Sequence, residues 1–93
     1  MIETFGNQET ELVYNGIQSK KLPPSIQNVA RRKLRMIAAA KQVRDLRIPP
    51  GNRLESLYDN LEGFWSIRIN DQWRIIFQFE NGGAKNVEIT DYH

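Results

Sequence analysis

From residue 63 to residue 80 the chain alternates with a period of two. Trp65, Ile67, Ile69, Trp73, Ile75, Phe77 and Phe79 take odd positions. Ser66, Arg68, Asn70, Gln72, Arg74, Gln78 and Glu80 take even ones, with Phe64 and Ile76 as apolar exceptions. Such alternation predicts antiparallel strands that bury one face and leave the other polar. Parity then selects the turn. Two strands that bury their odd residues together cannot be joined by the two residues Asp71-Gln72, which would set Ile69 against Arg74. The three-residue loop Asn70-Asp71-Gln72 satisfies the pattern, with Trp65 opposite Phe77, Ile67 opposite Ile75 and Arg68 opposite Arg74. Asn81-Gly82-Gly83 is a second turn signal. Continuing the parity across it sets Val87 opposite Phe77, Ile89 opposite Ile75, Thr90 beside Arg74 and Tyr92 beside Gln72. The expectation is therefore that Arg68, Arg74 and Tyr92 emerge together on the outer face of a three-stranded sheet. A further strand over residues 53–59 would extend it, although Leu54 and Leu57 break the alternation and call for a bulge.

The first half of the chain follows a different period. Met1–Phe5 reads as a short strand broken by Gly6-Asn7, and residues 8–15 as a short helix stopped by Gly16. Ser25 is placed as the N-cap of a long helix. On that helix Ile26, Val29, Ala30, Leu34 and Ile37 form an apolar stripe, and Arg31, Arg32 and Arg35 project away from it. Ala38-Ala39-Ala40 extends the helix, residues 43–48 add a turn or short segment, and Pro49-Pro50-Gly51-Asn52 ends everything helical. No repeat, linker or low-complexity tract interrupts the 93 residues, so one domain spanning 1–93 is expected. Helices followed by a meander of strands predict an α+β fold, with N-terminal helices packed on a twisted, mainly antiparallel sheet of about four strands.

Charge changes the picture once it is divided. The net value is only +2. Residues 20–47, however, hold Lys20, Lys21, Arg31, Arg32, Lys33, Arg35, Lys41, Arg44 and Arg47 against the single acid Asp45, while the rest of the chain is acidic. A basic stripe on an acidic body suits a polyanion such as RNA; a solvated helix face or a docking surface for an acidic protein would read the same way. Arg31, Arg32 and Arg35 are accordingly expected on one exposed face.

Several chemistries are excluded. The absence of cysteine removes disulfides, thiolate nucleophiles and cysteine-held zinc. The one histidine, His93, is the last residue, which leaves little from which to build a metal site or a Ser-His-Asp triad, so no metal and no other cofactor is expected. No apolar run approaches the ~18 residues of a membrane span, and no leader opens the chain, so a cytoplasmic protein is expected. Two arginines opposed across a ladder repel unless something anionic lies between them. They match a phosphate and the charge it develops during transfer. RNA carries its own nucleophile, the 2′-hydroxyl, and its cleavage requires only positioning, charge stabilisation and proton transfer. Ordinary exposed strand arginines remain the alternative on pattern alone.

Three stretches sharpen the reading: Pro49-Pro50-Gly51-Asn52-Arg53-Leu54-Glu55, the run from Trp65-Ser66-Ile67-Arg68 through Asn70-Asp71-Gln72-Trp73-Arg74-Ile75, and the ending Val87-Glu88-Ile89-Thr90-Asp91-Tyr92-His93. Together with Ala30-Arg31-Arg32-Lys33-Leu34 and Arg44-Asp45-Leu46-Arg47, they resemble the HigB toxins of the RelE superfamily over nearly the whole chain. The resemblance implies the RelE-like fold and a ribosome-dependent mRNA endonuclease that stops translation. It also implies a HigA-like helix-turn-helix antitoxin as partner to an otherwise monomeric toxin. Carried over by position, Arg68 and Arg74 would hold the scissile phosphate. Tyr92, His93 and Asp91 would supply proton-transfer and orienting groups, and the basic face of Arg31, Arg32, Lys33 and Arg35, with Lys20 and Lys21, would grip ribosomal RNA. Two departures stand out: some members carry a His near Glu55, which is lacking here, and some place the first strand arginine where this chain has Asn70. A weak nuclease, a non-catalytic ribosome- or RNA-binding growth inhibitor, and a gyrase-binding toxin like the related ParE proteins are the competing readings.

Overall fold

The computed structural model describes residues 1–91. Two helices, α1 (Gln8–Tyr14) and α2 (Pro24–Ala39), pack on a four-stranded antiparallel sheet of order β1-β2-β3-β4. The strands are β1 (Glu55–Ser56), β2 (Trp65–Arg68), β3 (Trp73–Glu80) and β4 (Gly83–Asp91). Met1–Phe5 runs parallel along the free edge of β4 through bridges at Ile2–Ala84 and Phe5–Val87.

Local chemistry explains the boundaries. Asn7 caps α1 by accepting the Thr10 N–H at 2.9 Å, and Gly16 takes the positive φ of 81° that ends the segment. The predicted cap of α2 is corrected. Pro23 holds the N-cap position without a side-chain bond, and Pro24 opens the helix, where its fixed φ is already helical and its missing N–H costs nothing. The short segment expected over residues 43–48 is a 3₁₀ turn, Val43–Arg47, and helical turns also run into and past the expected stop, as 3₁₀ segments at Pro50–Asn52 and Asp59–Leu61.

The β2–β3 register is the expected one, with Trp65 opposite Phe77, Ile67 opposite Ile75 and Arg68 opposite Arg74. Asn70 closes the three-residue loop, its Oδ1 accepting from the main-chain N–H groups of Gln72 at 2.9 Å and Trp73 at 2.7 Å. The β3–β4 register holds only in part. Trp73, Arg74, Ile75 and Ile76 face Asp91, Thr90, Ile89 and Glu88, but beyond them the ladder shifts by one, so Gln78 meets Lys85 and Phe79 meets Ala84. Phe77 is left facing Asn86 and Val87 together. An extra residue at Asn86, whose φ is 52°, absorbs the shift, and its side chain ties back to Gln78 Oε1 at 2.6 Å. Asn81 and Gly82, with φ of 52° and 78°, form the hairpin tip between Glu80 and Gly83.

The shift matters for packing. Up to the bulge the odd residues Ile75, Phe77, Val87 and Ile89 face the helices, and beyond it Ala84 does so too. These join Ile67, Ile69, Val13, Ile26, Ala30, Leu34, Ile37 and Leu46 in the core. Burial of each Leu, Ile or Phe contributes roughly 1.5–3 kcal/mol. Thr10 pins α1 to the sheet, its hydroxyl accepting the Ile89 N–H at 2.9 Å and donating to Asn7 Oδ1 at 2.7 Å. Among the described residues, no helix is long and apolar enough to cross a membrane.

Candidate active site at the frayed end of the sheet

The outer face of β2 and β3 carries Arg68 and Arg74 directly opposite each other. Ile69 N donates to Trp73 O at 2.9 Å, which makes Ile69–Trp73 a hydrogen-bonded position. Alternation makes Arg68–Arg74 a non-hydrogen-bonded one, where side chains stand closest. Two guanidiniums are thus brought together with no ladder bond between their own main chains.

Where β1 ends, the ladder frays. Glu55 pairs with Ser66, so continuing the strand backwards would set Arg53 against Arg68. Instead Arg53 turns into the left-handed region with φ 47° and ψ 57°, capping the Pro50–Asn52 turn. That turn is anchored from beneath by Asn52, which is fully buried and donates to Leu46 O at 3.2 Å. Fraying leaves two main-chain carbonyls without strand partners, and each is taken by a cation. Arg74 donates to Arg53 O at 2.7 Å, and Lys33 donates to Arg68 O at 2.5 Å.

Anions complete the arrangement. Glu55 Oε1 lies 3.6 Å from Arg74 Nη1, and Asp71 pairs with Arg68 across the hairpin loop. The Arg68 side chain is 33% exposed and that of Arg74 only 9%. Burial pushes the Lys33 ammonium below the usual lysine range, and Arg32, Arg68 and Arg74 push the same way. Among the described residues, three cations here face two half- or fully exposed carboxylates.

Several expectations need correction. Arg74 shares the predicted face with Arg68 but does not emerge from it, because the segment from Pro50 to Glu55 folds over it. Lys33 does not belong to the exposed basic face: it is 6% exposed and ends at the Arg68 carbonyl. Asp91 lies opposite Trp73, on the other side of the ladder from Arg74, where its Oδ2 accepts from Gln72 Nε2 at 2.9 Å. Tyr92 and His93 fall outside the described residues. Lys20, Lys21, Arg32 and Arg35 are exposed and Arg31 partly so. Arg31, Arg32 and Arg35 line, with Asn28, Met36 and Ala39, an open groove of about 620 Å³ along α2.

Two signals passed unused in the pattern. Lys33 stands three residues after Ala30 and four before Ile37, inside the apolar stripe. Glu55 pairs with Ser66, an even position of β2 that is fully buried, which puts it on the arginine face. Among the described residues, no group of three or more His, Cys, Asp or Glu side chains gathers as a metal cradle. The cluster offers an anion site formed by two guanidiniums, with a half-exposed carboxylate beside it able to accept a proton.

Comparison with known proteins gives this geometry a family. A family model described as the RelE-like toxin of type II toxin-antitoxin system HigB matches residues 3–93. Toxin HigB-1 of Vibrio cholerae serotype O1 is 54% identical over 71 residues, covering 76% of this chain and 75% of that protein. Endoribonuclease HigB of Proteus vulgaris is 31% identical over 97 residues, covering 100% of both. Among solved structures, the YoeB-YefM complex from Staphylococcus aureus superposes with a TM-score of 0.63 over 100% of this chain and 98% of that one. Its sequence identity is 18%, so the likeness concerns the fold.

Proposed function

The chain belongs to the HigB-like toxins, RelE-like toxins of type II toxin-antitoxin systems, and from that premise we propose that it is an endoribonuclease that cuts mRNA on the ribosome. The reaction needs no group beyond the RNA and the chain. The 2′-hydroxyl attacks the adjacent phosphorus, the bond from phosphorus to the 5′-oxygen breaks, and the products end in a 2′,3′-cyclic phosphate and a 5′-hydroxyl. Arg68 and Arg74 stabilise the charge gathering on the phosphoryl oxygens. Glu55 takes the proton of the attacking hydroxyl, being the carboxylate beside Arg74. Tyr92 and His93 are assigned to the leaving oxygen on the family resemblance alone. Asp91, on the opposite side of the ladder, is assigned to orient the chain's end. The α2 groove with Lys20 and Lys21 binds ribosomal RNA, and a HigA-like helix-turn-helix antitoxin restrains the toxin. Work on ribosomes places the protein in the cytoplasm.

The observation that carries this reading is the opposition of Arg68 and Arg74 on one face with Glu55 3.6 Å from Arg74. Induction in cells followed by mapping of mRNA 5′ ends tests it. Wild-type protein should create new ends within translated codons, and Arg68→Ala should reduce them by ~10²–10³, the usual effect of losing one charge-stabilising donor. Undiminished cleavage by Arg68→Ala would defeat the assignment. The burial of Arg74 favours a second reading, a ribosome-bound growth inhibitor without cleavage. Under it, growth arrest persists in Arg68→Ala and no new 5′ ends form with either protein.

A further inference from the structure

We propose that Lys33 is a positioning residue for the arginine pair, fixing the main chain from which Arg68 projects into the site. The argument starts from the frayed ladder. β1 stops at Glu55, so the Arg68 carbonyl, which points away from β3, has no strand to accept from. Lys33 reaches from α2, 35 positions away in sequence, and donates to it. Arg68 is the last residue of β2, followed at once by Ile69 and the Asn70-Asp71-Gln72 loop, so among the described residues Lys33 is what holds that strand end on its β1 side. Only 6% of Lys33 is exposed.

A buried ammonium is a costly way to satisfy a carbonyl. A water molecule or a neutral side chain would do that without placing a fourth cation beside Arg32, Arg68 and Arg74. The cost is offset when the site fills. A phosphodiester between the arginines brings negative charge to this cluster of cations, and an ammonium held in low dielectric adds to its stabilisation. Lys33 thus acts through Arg68: it does not touch the reacting atoms but sets where one guanidinium lies. Misplacement of a catalytic group by about 1 Å commonly costs on the order of 10²-fold in rate.

This assignment rests on the nuclease reading above, and the test separates the two. Single-turnover cleavage of mRNA on purified programmed ribosomes is measured against toxin concentration for wild type, Lys33→Met and Lys33→Gln. Folding of each variant is checked by circular dichroism and thermal melting. Methionine keeps the buried stem and removes the donor, whereas glutamine keeps an N–H donor without the charge. Lys33→Met should lower the saturating rate ~10–100-fold, as loss of a supporting contact does elsewhere, with the half-saturating concentration changed less than about threefold because the α2 groove is intact. Lys33→Gln should recover part of the rate. Wild-type cleavage with an undiminished saturating rate in Lys33→Met overturns this assignment alone, as does a change confined to half-saturation. Failure of both variants to fold also overturns it, making Lys33 a residue of the fold. Wild-type protein that leaves programmed mRNA whole overturns the nuclease reading, and this inference with it.

Discussion

A guanidinium holds two directions at once because its N–H groups form a rigid planar fork, and an ammonium cannot match it. Arg74 uses that property: one Nη donates to the Arg53 carbonyl while the other faces Glu55. Arg74→Lys keeps the charge but abandons at least one of those partners. It should lower cleavage by ~10²-fold or more while the melting temperature stays closer to wild type than in Arg74→Ala; equal activity of the lysine variant would show that charge alone is at work. Glu55→Gln is nearly the same size and should lower the saturating rate ~10²–10⁴-fold, the range for loss of a general base. An undiminished rate would place the base elsewhere. The opposition of Arg68 and Arg74 could be read from parity because alternation is a counting rule, and counting survives without coordinates. The burial of Arg74 could not, because it depends on a corner built by Arg53 in a left-handed conformation, and nothing in Pro-Pro-Gly-Asn says over which side chain that corner folds. Lys33 was readable from its place in the apolar stripe, but its charge class outweighed its position.

Between elements, single polar contacts hold long-range packing in place. The Thr10 hydroxyl joins α1 to β4 by accepting the Ile89 N–H, and both groups are buried. Thr10→Val keeps the shape, removes that acceptor and leaves a buried N–H unpaired, which costs about 1–3 kcal/mol. For a domain of this size each kcal/mol lowers the melting temperature by roughly 4–8 °C, so calorimetry decides; a variant that melts with wild type would show that water replaces the hydroxyl. The 3₁₀ turn Val43–Arg47 has a pH signature. The Asp45 carboxylate accepts from the main-chain N–H groups of Lys41 and Gln42, each at 3.0 Å, and these bonds hold its carboxyl below the usual range. The folded state therefore binds that proton less readily than the unfolded chain. Its contribution is complete above the ordinary carboxylate value of about 4 and is lost as pH falls through the lowered one. Melting temperatures of wild type and Asp45→Ala should converge on acidification, and a constant gap would refute the linkage. Element order and the β2–β3 register were open to sequence reasoning. The shift at Asn86 was not, since a bulge inserts one residue without altering local hydrophobicity, and parity counting carried past it would set Gln78 against Asn86 instead of Lys85.

Across the whole molecule, charge and topology divide the work. Core residues of α1 and α2 face one side of the sheet, the arginine pair stands on the other, and Lys33 joins them by running from the helix that carries the basic groove to the backbone of Arg68. A net charge of +2 hides this division, because the acids are distributed elsewhere in the chain. If the groove meets phosphates, ribosome affinity is dominated by counterion release and falls steeply with salt, each contact adding about 0.7–0.9 to the log–log slope. Replacing Arg31, Arg32 and Arg35 together with Ala should therefore flatten the slope by about 2–3. It should weaken binding most at low salt and leave the saturating cleavage rate within a few-fold of wild type, since none of the three reaches the arginine pair. That is the opposite of the result expected for Lys33→Met, so equilibrium binding and single-turnover rates from the same two proteins separate grip from chemistry. A slope that stays steep after the triple replacement would move the RNA contact off α2. A slope that is flat in wild type would give the groove to a protein partner with an acidic face.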